Sequence, residues 1–312
     1  MKEIVVSAIL LSTSVVASAR AQTLQTTPNY LIQNAAGMRL VVQTEDPGAV
    51  LLVVLPGMPT SDHAIEIIFP EHVTAVRHGR KLAEQLYSYH RGLSHGLMWR
   101  RVGRALEYEG DLTDGVHMLA RATLEDDGVR FHYEFVNRSD QAYDMIYAVT
   151  DPRLTALFHD VRLERTYVHH KDGFDLLASE TPARSTMPLD RWLPARYLAS
   201  FTWPVPADRV MRGDDGITYY NKSRPVDAAF IATLSNDSTW VVASFAPETG
   251  NVWSNPELTC QHVDPQTALA PKGRAVVETK LLVLRGSLDN AFEIARRERQ
   301  TLRLDPRFSQ SK

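Results

Sequence analysis

Apolar and polar positions alternate with a period of two along much of this chain, the pattern of strands that turn one face to a core and one to water. The plainest stretch runs from Val116 to Tyr147. There Arg121 to Glu125 leads into Asp126-Asp127-Gly128, two acidic turn formers and a glycine that admits positive φ. Val129, Phe131, Tyr133 and Phe135 then alternate with Arg130, His132 and Glu134. Asn137-Arg138-Ser139-Asp140 makes a second polar turn before a third run, Ala142 to Val149, so the stretch predicts an antiparallel meander.

Other segments repeat the pattern. Met38 to Gln43, Val50 to Leu55 and Ala64 to Phe69 read as strands, and the second is continuously apolar, as expected where both faces are covered. Gly79 to Tyr87 fits a short helix or an extended run, Leu154 to Arg165 returns toward extended structure, and Tyr167 to His170 follows. Lys171 to Pro206 is rich in proline and turn formers and reads as a long functional insert. Phe230 to Leu234, Trp240 to Phe245 and Ala275 to Leu284 are further strands. Leu288 to Leu302 carries helical periodicity behind Ser287 as cap, with its basic face toward solvent. Short strands separated by turn signals predict an all-β antiparallel sandwich or barrel with one C-terminal helix.

Composition narrows the setting. At 312 residues with 44% hydrophobic and 23% charged side chains, the chain is ordinary for a globular protein. Its net charge of −3 gives no electrostatic reason for nucleic acid as a partner. Lys2 followed by the apolar run Ile4 to Val16 and then Ala19-Arg20-Ala21 fits a signal peptide over 1–21, leaving 22–312 as one mature domain in the periplasm or outside the cell. The run is too short to span a bilayer comfortably, so no membrane association is expected after cleavage. The single cysteine, Cys260, allows no internal disulfide and reads as a small buried hydrophobe.

Familiar catalytic motifs are absent, and candidate chemistry rests on three loop clusters. His90, His95, Trp99, Arg100 and Arg101 suit a ligand with hydroxyls or a carboxylate, or equally stitch a long loop to the sheet. His159, Tyr167, His169 and His170 form the second cluster. Adjacent strand residues point to opposite faces, so one of His169 and His170 at most faces a given site. Their spacing matches no closed zinc pattern. Three imidazoles this close in sequence could ligate a metal, since imidazole suits zinc, copper, iron and nickel, but acid–base work is the leading expectation, with no metal or cofactor assigned. The third cluster is Trp253-Ser254-Asn255-Pro256, then Thr259-Cys260-Gln261-His262-Val263-Asp264, then Pro271-Lys272-Gly273 before the long last strand.

The order of this third cluster resembles the C-terminal part of the galactose mutarotase-like superfamily, and Val136-Asn137-Arg138-Ser139-Asp140 resembles a turn of the same group. The resemblance implies a large antiparallel β supersandwich acting on a small-molecule carbohydrate as an epimerase, lyase or hydrolase, or binding one without catalysis. Where the epimerases carry a basic glutamate, this chain has Thr259 to His262. The likeness therefore implies His262 as base with Asp264 orienting it, and His169 or His170 as acid. Trp99, Arg100, Arg101, His90, His95, Tyr167, Trp253 and Asn255 would then hold the sugar.

Overall fold

The computed structural model describes residues 30–43, 48–58, 64–90, 97–182, 184 and 186–303. The expected signal peptide and His95 lie outside them. The described chain is built of antiparallel sheets and a single long helix, Leu288–Arg303. Among the described residues no helix is long and apolar enough to cross a membrane.

A nine-stranded sheet forms the backbone of the fold. Its order is Gly173–Leu176, Thr166–His170, Phe230–Leu234, Trp240–Phe245, Arg274–Arg285, Gly128–Asn137, Val116–Leu124, Ala105–Asp111 and Arg100–Val102. Phe131 opposite Thr279 and His132 opposite Glu278 fix the register of its two longest strands. Strand alternation then sends Val129, Phe131, Tyr133 and Phe135 into the main core, where all four are buried. The opposite face carries Ala232, Ala243, Phe245 and Leu282, and the helix packs there through Ala291 and Ala295. Ser287 Oγ accepts the Asn290 amide at 3.2 Å, the expected cap.

Three smaller sheets close the core. Leu31–Gln33, Arg39–Val42, Val50–Val54, Ala64–Ile68 and Asp151–Arg153 make one. In Val50–Val54 both alternating sets are buried, as its continuous apolar run requires. Thr267–Leu269, Tyr143–Ala148, His72–Arg77 and Glu84–Ser88 make the second. The third takes Val210–Arg212, Thr218–Asn221, Ala195–Ser200 and Asn251–Ser254, with a parallel pair between Ala195–Ser200 and Thr218–Asn221.

Several expectations change. The meander breaks after two strands: Tyr143–Ala148 pairs with His72–Arg77, because Arg274–Arg285 already occupies the free edge of Gly128–Asn137. Buried Asn137 turns the chain away by donating to the carbonyls of Gln141 at 2.6 Å and Ala270 at 3.0 Å. Gly128 is needed for closeness rather than for positive φ, since a Cβ there would lie 2.0 Å from the Leu281 carbonyl oxygen. Leu154 to Arg165 is a loop with a short 3-10 turn, Ala156–Phe158. Its carboxylate Asp160 accepts the backbone amides of Glu164 and Arg165 and the Thr166 hydroxyl, which satisfies the chain without a ladder. Of Gly79 to Tyr87 only the end is regular, as the strand Glu84–Ser88.

Candidate functional site

Two chain segments that leave neighbouring sheets run side by side beneath a third. The Glu71 amide donates to Val149 O at 2.8 Å and the Val149 amide to His72 O at 2.9 Å. This puts Glu71 and His72, at the start of one strand, beside Asp151 and Arg153 in another. Over them Trp253 and His262 exchange backbone hydrogen bonds of 3.2 and 3.0 Å, and the Gln261 amide donates to Pro152 O. The Gln261 side chain anchors the same segment to the main sheet through Thr233 Oγ1, Ser244 Oγ and Val242 O. His262 therefore lies against the core face of the nine-stranded sheet.

The His262 ring is 1% exposed and stacks on the Trp253 indole at 3.7 Å with planes 2° apart. Its Nε2 is 3.3 Å from Asp151 Oδ1 and its Nδ1 is 3.5 Å from Asp264 Oδ2. Burial alone would lower the imidazole pKa, but the Cys260 sulfur and the Asp151 and Asp264 carboxylates beside it outweigh that and hold the pKa well above its ordinary value. Burial also pushes the Cys260 thiol up. The thiol is therefore uncharged near neutrality, and the two carboxylates sustain the imidazolium. Despite burial, Asp151 is held below its usual range by His262 and Arg153, whose Nε donates to Oδ2 at 2.6 Å.

Around this centre lie groups that reach solvent. Arg153 stands 3.5 Å from Glu66 and 3.6 Å from Glu71. Burial, and then the Asp151 charge, raise the Glu71 pKa. Burial lowers that of His72, so its ring stays neutral to lower pH than usual. His72 Nδ1 is 2.9 Å from Thr74 Oγ1, and Tyr147 meets its ring edge-on at 6.1 Å. An imidazole that stays neutral to lower pH and a carboxyl that keeps its proton to higher pH than usual, neighbours in the chain, are suited to paired proton transfer.

The other expected site residues do not gather here. His169 and His170 face opposite ways, as strand geometry demands. His169 Nδ1 contacts Asp227 at 2.8 Å and its ring stacks on helix residue Phe292 at 3.9 Å, on the far side of the sheet from His262. Tyr167 shares that face. His170 lies on the core face but is committed to Pro225 O at 2.8 Å. His159 Nδ1 turns to Leu154 O. The three imidazoles that raised the idea of a metal are thus scattered. Asn255 latches its own loop, its Oδ1 accepting the Leu258 amide at 2.7 Å and its carbonyl the Thr259 amide.

The Trp99 cluster is also corrected. The indole is buried in the core, edge-on to Tyr108 at 4.7 Å with Nε1 toward Gly48 O. Arg100 pairs with Glu107 and Glu109, and Arg101 binds the carbonyls of Gly103 and Leu31. Both belong to the edge strand of the nine-stranded sheet, and His90 is exposed beyond Glu84–Ser88. Sequence reasoning missed Glu71, His72, Tyr147, Asp151 and Arg153. Their one signal was a pair of proline-marked polar triplets, Pro70-Glu71-His72 and Asp151-Pro152-Arg153, which read as strand breakers.

No protein-family model matches the chain, and no curated protein matches it. Solved structures do, and several are described as galactose mutarotase-like, the group the sequence resembles. A protein of Synechocystis sp. PCC 6803 aligns over 83% of this chain and 96% of its own at 12% identity, TM-score 0.49. A galactose mutarotase related enzyme from Lactobacillus acidophilus aligns over 83% and 98% at 12% identity, TM-score 0.47. A putative aldose 1-epimerase from Escherichia coli K12 aligns over 83% and 99% at 11% identity, TM-score 0.43. At these identities no functional residue is carried over from them.

Proposed function

We propose that this protein is an exported carbohydrate-active protein that moves protons on a sugar at the mouth formed by Glu71, His72, Tyr147, Arg153 and Asp264. The observation that carries the reading is the convergence of Glu71 and His72 from one segment, and Asp264 from another, on the buried Asp151–His262 pair. His72, neutral, takes a proton from a ring hydroxyl or carbon acid, and Glu71 returns one across the ligand. Arg153 and Asp264 offer a charged donor and a charged acceptor to hydroxyls. His262 touches no ligand; it positions Asp264 and Asp151. Epimerisation, β-elimination and hydrolysis all use this pairing.

The test is turnover of neutral and uronic-acid oligosaccharides by the mature chain. Glu71→Gln and His72→Gln should each lower kcat/KM by about 10²–10⁴-fold while leaving the circular dichroism spectrum unchanged. Undiminished turnover in both variants would exclude the assignment. A second reading, a carbohydrate-binding protein without catalysis, draws on the burial of His262 beneath Trp253, which withdraws that imidazole from any ligand. Sugar binding by calorimetry with no turnover of any sugar would select it.

A further inference from the structure

Beneath this mouth, and sharing the Asp151–His262 pair with it, three side chains from two segments of the chain meet in the interior. Asp151, Cys260 and His262 are each 1% exposed, and one donor atom from each lies within 4.8 Å of the others. We propose that they form a binding site for a divalent thiophilic cation, Zn²⁺ foremost.

The donor set comes first. Thiolate, imidazole and carboxylate together suit zinc and its neighbours, whereas magnesium and calcium require oxygen alone. The spacing agrees. His262 Nε2 stands 3.3 Å from Asp151 Oδ1, yet that oxygen receives no hydrogen bond although it is buried. Bonds of 2.0–2.1 Å at the tetrahedral angle place two donor atoms about 3.4 Å apart. The pair is thus separated as two ligands sharing one cation are. The His262 charge compensates that buried oxygen in part, and a bound cation would satisfy it directly.

The surrounding groups are those that metal ligands use. A ligating histidine ordinarily turns its other nitrogen to a carboxylate, and His262 Nδ1 faces Asp264 at 3.5 Å. The second oxygen of Asp151 is fixed by Arg153, and Trp253 holds the imidazole plane. A comparable acidic trio, Glu125, Asp127 and Glu298, serves as a contrast, because the Lys280 ammonium already fills its centre. Nothing cationic stands between Asp151, Cys260 and His262 except the proton on the imidazole itself.

Binding is an exchange of protons for metal without redox change. The Cys260 S–H bond breaks, the sulfur lone pair forms the bond to the cation, and the proton leaves to solvent. The proton on His262 Nε2 leaves in the same way, so the positive charge between the carboxylates is kept. Three protein ligands leave a fourth position for water or a ligand oxygen.

The experiment uses the full mature chain, stripped with chelator and titrated with Co²⁺ and then Zn²⁺. Because Cys260 is the single cysteine, a thiolate-to-cobalt absorption band in the near ultraviolet has one possible source. One cobalt per chain with that band, displaced by one zinc, is the expected result. Cys260→Ser should abolish the band, and Asp264→Asn should weaken zinc binding by about 10–100-fold. A wild-type protein that gives no thiolate band with Co²⁺ overturns the proposal whether or not the variants fold. So does a band that survives undiminished in Cys260→Ser.

Discussion

At the scale of single residues, most charged side chains that leave the surface do so in groups. Lys280 is 1% exposed, and its ammonium lies 2.6 Å from Asp127, 2.6 Å from Glu298 and 2.8 Å from Glu125. Burial would lower its pKa, but the three carboxylates outweigh that and raise it. Lys280→Met leaves those carboxylates facing one another, so chemical unfolding should show a loss of about 3–5 kcal/mol, the cost of breaking a buried pair. The pH dependence follows from Glu125, which Lys280 and then Arg130 hold below its ordinary value of 4.5 despite burial. A depressed carboxyl contributes stability above its unfolded pKa and loses it as pH falls through the folded one. Wild type should therefore lose stability below about pH 4.5 more steeply than Lys280→Met. Activity tests another pair. His72 must be unprotonated and Glu71 protonated, and their pKa values move down from 6.5 and up from 4.5. The kcat/KM profile should be bell-shaped, its rising limb set by His72 below pH 6.5 and its falling limb set by Glu71 above pH 4.5. A maximum above pH 8 would exclude both groups as the acid and base.

At the scale of elements, the sequence was legible where one periodicity ruled and opaque where contacts from elsewhere decided. Gly128–Asn137, Arg274–Arg285 and Leu288–Arg303 fall where alternation or helical spacing puts them. Tyr143–Ala148 is a strand as expected, but no local feature says which edge it joins, and its partner His72–Arg77 lies about seventy positions away. The insert Lys171 to Pro206 looked irregular because its strands Gly173–Leu176 and Ala195–Ser200 are short, and the second pairs in parallel with Thr218–Asn221 beyond it. Gly128 shows the same limit: turn chemistry accounted for it, while the approach of Arg274–Arg285 is what demands it. Gly128→Ala should destabilise by about 1–3 kcal/mol, as overpacking does, read from the urea midpoint. An unchanged midpoint would show that the strand pair gives way freely at this point.

At the scale of the whole molecule, the site exists only where sheets meet. His72 opens a strand of one sheet with Glu71 just before it, Asp151 and Arg153 edge another, and His262 and Asp264 come from the loop beyond a third. We infer export from Lys2 and the apolar run behind it. Expression of the full chain in a bacterial host should yield periplasmic protein whose first residue, by N-terminal sequencing, lies near Gln22. Intact Met1 on all the protein would refute it.

The amino-acid order by itself determined the all-β character, the long central strands and the C-terminal helix, because each is written in neighbours within a few residues. Tertiary structure alone decided that His169 and His170 stand apart from His262, that Trp99 is core, and that Asp151 stands beside His262. Those outcomes are set by contacts between segments far apart in the chain. A period-two pattern fixes which face a side chain takes but carries no information on which strand lies opposite it.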